Sequence, residues 1–236
     1  MKNNKIAVAM SGGVDSTFAA IKLQEKGYDV IGITFEMYCH QHPAHKNKQE
    51  ENYDDVKKIC NRLSIPHHLM DIKEEFEQVV INDFIQQYLA GRTPNPCVIC
   101  NKNIKWELML EKVQHYGAKK LATGHYAKIG KSTKSERFLL KKGIDIIKDQ
   151  SYFLWKLNQN ELAKTILPLG DYTKSDIVQK LKEHHLNIEQ KEESQDICFI
   201  PDNDYNYFLK ERVPDAIRPG PIVDENNNIL GKHKGI

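Results

Sequence analysis

Apolar positions along the chain alternate between two rhythms, short continuous runs and 3.6-residue stripes. Lys5 to Met10 is a strand pattern. A helical pattern follows from Val14 to Lys26 and stops at Gly27, a residue suited to the left-handed position after a helix. Asp29 to Phe35 is a second apolar strand. A polar loop is expected to about Gln49, then a helix from Glu50 to Leu63 with Tyr53, Val56, Ile59, Cys60 and Leu63 on one face. Pro66 to Ile72 is a third strand, and Glu74 to Ala90 a long amphipathic helix. Gly91 to Pro96, with two prolines and a glycine, breaks that helix. Asn103 to Tyr116 is expected to be helical and Lys119 to Thr123 a strand.

Strands spaced by helices of this length imply βαβ units, hence an α/β fold with a doubly wound parallel sheet. Ligands of such sheets bind beyond the carboxyl ends of the strands. The loops after Met10, Phe35 and Thr123 should therefore share one edge, and the chemistry should lie there. After about Gly130 the rhythm changes. Phe138–Leu140 and Tyr152–Leu157 read as strands, Asn158–Ile166, Lys174–His185 and Tyr205–Arg212 as helices. Ile222-Val223 and Ile229-Leu230 read as the arms of a β-hairpin.

Composition narrows the class. The 236 residues are 40% hydrophobic and 28% charged, as in an ordinary globular protein. No apolar run approaches the roughly 20 residues of a membrane span, and Met1 to Met10 lacks the features of a signal peptide. A cytoplasmic protein without membrane contact is expected. The net charge of +2 excludes no partner. Its distribution says more: Lys119, Lys120, Lys128, Lys131, Lys134, Arg137, Lys141, Lys142 and Lys148 are opposed only by Glu136 and Asp145. That segment can contact phosphates, or can equally be a solvated hairpin. Five cysteines in a cytoplasmic chain argue against a disulfide framework. Cys60 falls on the apolar face of a helix and belongs to the core. Cys39, His40, His42 and His45 are too irregularly spaced to predict zinc.

The strongest chemical signal is Ser11-Gly12-Gly13-Val14-Asp15-Ser16, between an apolar strand and a helix. Glycines let the backbone approach an anion, and the helix N-terminus favours phosphate. Ser11 and Ser16 add hydroxyl donors, while Asp15 can serve a metal ion or cap the helix. No Gly-Lys-Ser/Thr follows, so the loop suits pyrophosphate rather than γ-phosphate transfer.

This loop resembles that of the ATP pyrophosphatases, a superfamily with an adenine nucleotide alpha hydrolase-like fold. Further motifs resemble the tRNA-specific 2-thiouridylases in order along the chain. They are Gly91-Arg92-Thr93-Pro94-Asn95-Pro96 with Cys100-Asn101-Lys102, Ala122-Thr123-Gly124-His125-Tyr126, Lys148-Asp149-Gln150-Ser151-Tyr152-Phe153-Leu154, and Ser194 to Ile200 with Cys198. The resemblance implies ATP with Mg2+ as cofactors, and a tRNA and a sulfur-donor protein (a cysteine desulfurase or relay carrier) as partners. The uridine oxygen is adenylated, which makes a poor leaving group a good one, and a persulfide sulfur then displaces AMP. On the same resemblance Ala9, Met10, Ser11, Gly12, Gly13, Val14, Asp15, Ser16, Phe35 and Gly124 contact ATP. Asn95, Pro96 and Cys97 face the target base, and His125, Lys148, Asp149 and Gln150 contact tRNA. Cys198 carries the persulfide and Cys100 attacks it. Taken singly, His125 could be a satisfied loop histidine, the lesser reading, and Asp149 would be an ordinary turn residue.

The chain departs from the family pattern in two respects. Cys97 stands where many relatives have aspartate, and Ser194-Gln195-Asp196-Ile197-Cys198 where many read Ser-Thr-Gly-Ile-Cys. Cys97, Cys100 and Cys198 could hold an iron–sulfur cluster, or could exchange persulfide and disulfide with Cys97 as a spare thiol. No metal site is assigned, and two thiols suffice for the second chemistry, which is favoured. The second respect is length. Residues 1–200 are expected to form the catalytic domain and 201–236 the start of a small β-containing domain. The family normally continues into a C-terminal β-rich domain, which is not expected within these 236 residues, whether the chain is a fragment or a reduced form. Two other functions compete: an adenylating enzyme acting on a small molecule, which the loop alone would allow, and a non-catalytic tRNA-binding fragment, against which the intact Ser11 to Ser16, Cys100 and Cys198 argue.

Overall fold

The computed structural model of the protein describes residues 4–37, 43–184, 186, 188, 197–200 and 204–235, with 43–50 as backbone alone. Its centre is a five-stranded parallel sheet of β1 (Lys5–Ala9), β2 (Asp29–Glu36), β3 (His67–Asp71), β4 (Lys120–Ala122) and β7 (Thr165–Ile166), in the order β3-β2-β1-β4-β7. Ala7 pairs with Ile31 on one side and with Leu121 on the other, so β1 is the middle strand.

Strand residues alternate between two cores, as the pleat requires. Ile6 and Val8 pack with α1 (Val14–Glu25), α2 (Pro43–Arg62) and α6 (Lys174–Glu183). Ala7, Ile31 and Ile33 face the opposite layer, formed by α3 (residues 73–89) and α4 (residues 96–116). Helices thus cover both faces, and the expected doubly wound α/β fold is the observed one. Buried Val56 and Cys60 lie in the first core, where burial pushes the Cys60 thiol up to about 11.

Between β4 and β7 a hairpin of β5 (Ala127–Lys131) and β6 (Phe138–Lys142) projects, followed by a 3-10 turn at Ser151–Leu154 and the short helix α5 (Gln159–Ala163). Asn158 and Glu161 form a capping box at the start of α5. Glu161, 5% exposed, also pairs with Lys102 of α4 and fixes that helix against α5. The chain closes with α7 (Tyr205–Arg212) and the expected hairpin of β8 (Gly220–Val223) and β9 (Ile229–His233).

Four elements differ from the sequence reading. Helix α2 begins at Pro43, not near Glu50, because Pro suits the first helical position and the polar residues after it are good helix formers. Helix α4 begins at Pro96, with Asn95 extended as its cap, so Cys97-Val98-Ile99-Cys100 is its first turn rather than a loop before it. Tyr152–Leu157 is not a strand: only Leu154 and Leu157 are buried, while Tyr152 and Trp155 are exposed. Asn158–Ile166 splits into α5 and the edge strand β7. There Thr165 accepts a 2.6 Å hydrogen bond from Trp106 Nε1 and donates to the Glu161 carbonyl. The segments Cys39–His42 and Ser194–Asp196 lie outside the described residues, as does the His45 side chain.

Candidate active site

The carboxyl ends of β1, β2 and β4 open on a cavity of about 440 Å3, lined among others by Ala9, Met10, Ser11, Asp15, Ser16, Phe35, Gly124, His125, Gln150 and Cys198. The size suits a nucleotide-scale ligand. The loops after Met10, Phe35 and Thr123 do share this edge.

The glycine-rich loop is held by its own side chains. Ser16 Oγ accepts from Ser11 N (3.2 Å) and Ser11 Oγ (3.3 Å), and donates to the Gly13 carbonyl (3.1 Å). Gly12 takes a φ of +78°, which favours glycine. Gly13 caps α1 without a side-chain hydrogen bond, so the first-turn amides remain for an anion. Gly124 lies so close to the loop that a Cβ there would meet the Asp15 carbonyl carbon at 2.9 Å and Ser16 N at 3.0 Å. Gly12, Gly13 and Val14 supply backbone rather than cavity wall.

Asp15 neither caps the helix nor stands alone. Lys174 Nζ donates to both its oxygens at 2.9 and 2.8 Å, and Tyr126 Oη donates to it at 2.6 Å. Tyr126 is clasped in turn by Gln150. Gln150 N donates to its carbonyl (3.0 Å), and Gln150 Oε1 accepts from its amide (3.1 Å). The glycine-rich loop, the 124–126 loop and the 148–151 segment are therefore one hydrogen-bonded unit. Deeper in, Thr34 donates to the Met10 carbonyl at 2.8 Å and lies 2.8 Å from His67 Nε2. Its single proton is used on Met10, so Nε2 of His67 must be the donor.

The same cavity is lined by a thiol, Cys198, and a cation, Lys105. Cys198 touches solvent at the cavity, while Cys100 is buried in α4 and Cys97 is exposed at its first turn. From Cys100 to Leu108 the helix is π-helical. Its i→i+5 hydrogen bonds bring residues five apart toward one side, and Lys105 stands five after Cys100. Lys105 lines the same cavity, and its charge acts on Cys100, Cys198 and His125. Burial pushes the Cys100 thiol up to about 12, with Lys105 partly opposing it. Burial also raises Cys198, again against Lys105. The position before a helix N-terminus expected for Cys100 is not observed; it lies inside the helix and is protonated at neutral pH. Cys97 is close enough for its charge to act on both Cys100 and Cys198, and Cys198 for its charge to act on Cys100. Among the described residues, however, no group of three or more His, Cys, Asp or Glu could hold a metal ion. The residues as placed do not fit an iron–sulfur cluster.

His125 Nδ1 lies 2.8 Å from Thr123 Oγ1 and its ring 5.4 Å from that of Trp106. Burial and then Lys105 push its pKa down to about 3, so it is neutral. Of the residues expected to meet tRNA, His125 and Gln150 line the cavity; Asn95, Pro96, Cys97, Lys148 and Asp149 do not. Asp149 is spent locally, accepting from Gly143 N (3.0 Å) and Ser151 Oγ (2.7 Å). Two site residues had no sequence signal. Lys174 is distant in the chain, and Lys105 aligns with Cys100 only through the π-helical register.

An open parallel sheet with a serine-glycine loop at the end of its central strand defines a nucleotide-binding α/β domain. The family model described as the tRNA methyl transferase HUP domain matches residues 4–202, and the chain belongs to this family. It is similar to the tRNA-specific 2-thiouridylase MnmA of Natranaerobius thermophilus, 43% identical over 249 residues, covering 100% of this chain and 66% of the relative. It is also similar to MnmA of Heliobacterium modesticaldum, 45% identical, covering 98% and 61%. The chain thus spans a little under two thirds of the length of these curated relatives. Among solved structures, the U34-tRNA thiolase NcsA from Methanococcus maripaludis, with its [4Fe-4S] cluster, matches at a TM-score of 0.53 and 18% identity, covering 92% of this chain and 69% of that one. This likeness concerns the fold. No helix among the described residues is long and apolar enough to cross a membrane.

Proposed function

We propose that this chain is the ATP-using part of an enzyme that replaces the 2-oxygen of a tRNA wobble uridine with sulfur. One observation carries the reading: a single cavity is lined by the glycine-rich loop, Cys198, Lys105 and His125. The MnmA relatives supply the substrate class. Uridine O2 attacks the α-phosphorus of ATP, and pyrophosphate leaves along the loop amides and Lys174. Asp15, the one carboxylate in the cavity lining among the described residues, would hold the Mg2+ that screens the phosphates.

Cys198 carries a persulfide received from a sulfur-donor protein. Cys100 attacks the Cys198 sulfur, its thiol proton passing to the departing outer sulfur, forming a Cys100–Cys198 disulfide and releasing hydrosulfide. Hydrosulfide adds to C2 of the adenylated base and expels AMP; an external dithiol then reduces the disulfide. Lys105 supplies positive charge that favours thiolate character at both cysteines against their burial. The test is to incubate the protein with ATP, Mg2+, a persulfide donor and unmodified tRNA, and to analyse the nucleosides by mass. Tight coupling of ATP turnover to tRNA and a 2-thiouridine product are expected. ATP turnover indifferent to tRNA would move the chain to small-molecule adenylation.

A further inference from the structure

The 3-10 turn at Ser151–Leu154 has a consequence for its surface. Three residues per turn eclipse the side chains at i and i+3. Leu154 is buried, and Trp155 keeps helical backbone angles as the cap. Tyr152 and Trp155 therefore point the same way, into solvent, at 67% and 61% exposure. Ile146 and Ile147, just before the turn, are 85% and 92% exposed. Four large apolar side chains exposed within ten residues of one another call for an occupant.

Charge identifies its chemistry. The segment carries Lys148 and Lys156, and the Lys156 ammonium lies 5.4 Å from the centre of the Trp155 ring. The acids beside it face inward: Asp145 accepts from the amides of Ile147, Lys148 and Lys174, and Asp149 from Gly143 and Ser151. Flat aromatic faces among cations, with neighbouring carboxylates occupied, suit bases strung on a phosphate backbone rather than an apolar protein surface. Gln150, two residues before Tyr152, lines the cavity, so a strand delivering a base there passes this turn.

We propose that Tyr152 and Trp155 form a stacking platform for the unpaired nucleotides flanking the base held in the cavity. This rests on the reading of the chain as an RNA-modifying enzyme. The two tryptophans make it measurable: Trp106 is fully buried and bonded to Thr165, so Trp155 is the reporter. A short RNA stem-loop with an unpaired uridine in its loop is titrated into the full chain while emission is followed. Quenching is expected. Trp155→Ala and Tyr152→Ala should each weaken binding by about 5- to 150-fold without changing the salt slope, since neither removes a phosphate contact. Trp155→Phe should bind within a few-fold of wild type but without the quench. Wild-type affinity in Trp155→Ala, or unchanged emission at saturation, overturns the platform. So does a Trp155→Ala effect confined to self-association, which would mean a protein occupant. A wild-type chain that binds no RNA would instead sink the proposed function itself.

Discussion

Lys174 and Asp15, 159 positions apart, meet through two hydrogen bonds of 2.9 and 2.8 Å beside the glycine-rich loop. Lys174 is the first residue of α6, whose capping box of Thr173 and Asp176 holds it in place. A cation held there stands where the proposed pyrophosphate would meet it. Lys174→Met should lower kcat/KM for pyrophosphate release by about 10- to 100-fold, the loss of one charged phosphate contact. RNA affinity should stay unchanged. Normal pyrophosphate release in this variant would reduce the pair to a structural tie.

The β5–β6 hairpin exposes Lys141 and Lys142 on its second strand. Each phosphate they neutralise releases counterions. Replacing both with Glu should weaken binding to any tRNA and reduce the slope of log affinity against log salt by about 1 to 2. Filter binding across a salt series measures it. An unchanged slope would return the hairpin to an ordinary solvated surface.

His125 makes a prediction about acid stability. Its folded pKa is pushed down to about 3, whereas an unfolded histidine titrates near 6.5. As pH falls from about 6.5 toward 3, the unfolded chain takes up a proton that the folded one refuses, so stability is lost across that window. His67, lowered by burial, acts in the same sense. Urea midpoints between pH 4.5 and 6.5 should fall less steeply for His125→Gln than for wild type. Equal slopes, or a His125 ring titrating near 6.5 by NMR, would contradict the buried neutral state.

How far the sequence reached can be judged from these residues. The parallel sheet was legible because β1 and β2 are continuous apolar runs and β3 a short segment, each set between long helices. The phosphate loop was legible because Ser11 to Ser16 needs glycine at a strand–helix junction. Strand β7 was not, because two residues after a helix leave no periodic signal, and Thr165 is fixed by Trp106 rather than by its neighbours. Tyr152–Leu157 misled because a short apolar run has no period to separate a strand from a turn. Cys100 was misplaced because prolines mark both breaks and helix starts, and here Pro96 starts one. Lys105 and Lys174 joined the site only through tertiary register.

The central claim is that the loop activates oxygen and the thiols deliver sulfur, in one cavity. Cys198→Ser removes the persulfide carrier and leaves the glycine-rich loop untouched. The most direct measurement follows pyrophosphate release and the thiolated nucleoside in the same reaction, with tRNA, ATP, Mg2+ and a persulfide donor. Cys198→Ser, and likewise Cys100→Ser, should release pyrophosphate near the wild-type rate for a single turnover and form no 2-thiouridine. Cys97→Ser should keep substantial thiolation, with no iron bound to the wild-type protein. Thiolation undiminished in Cys198→Ser would contradict the division of labour, and stoichiometric iron lost with Cys97 would contradict the persulfide route.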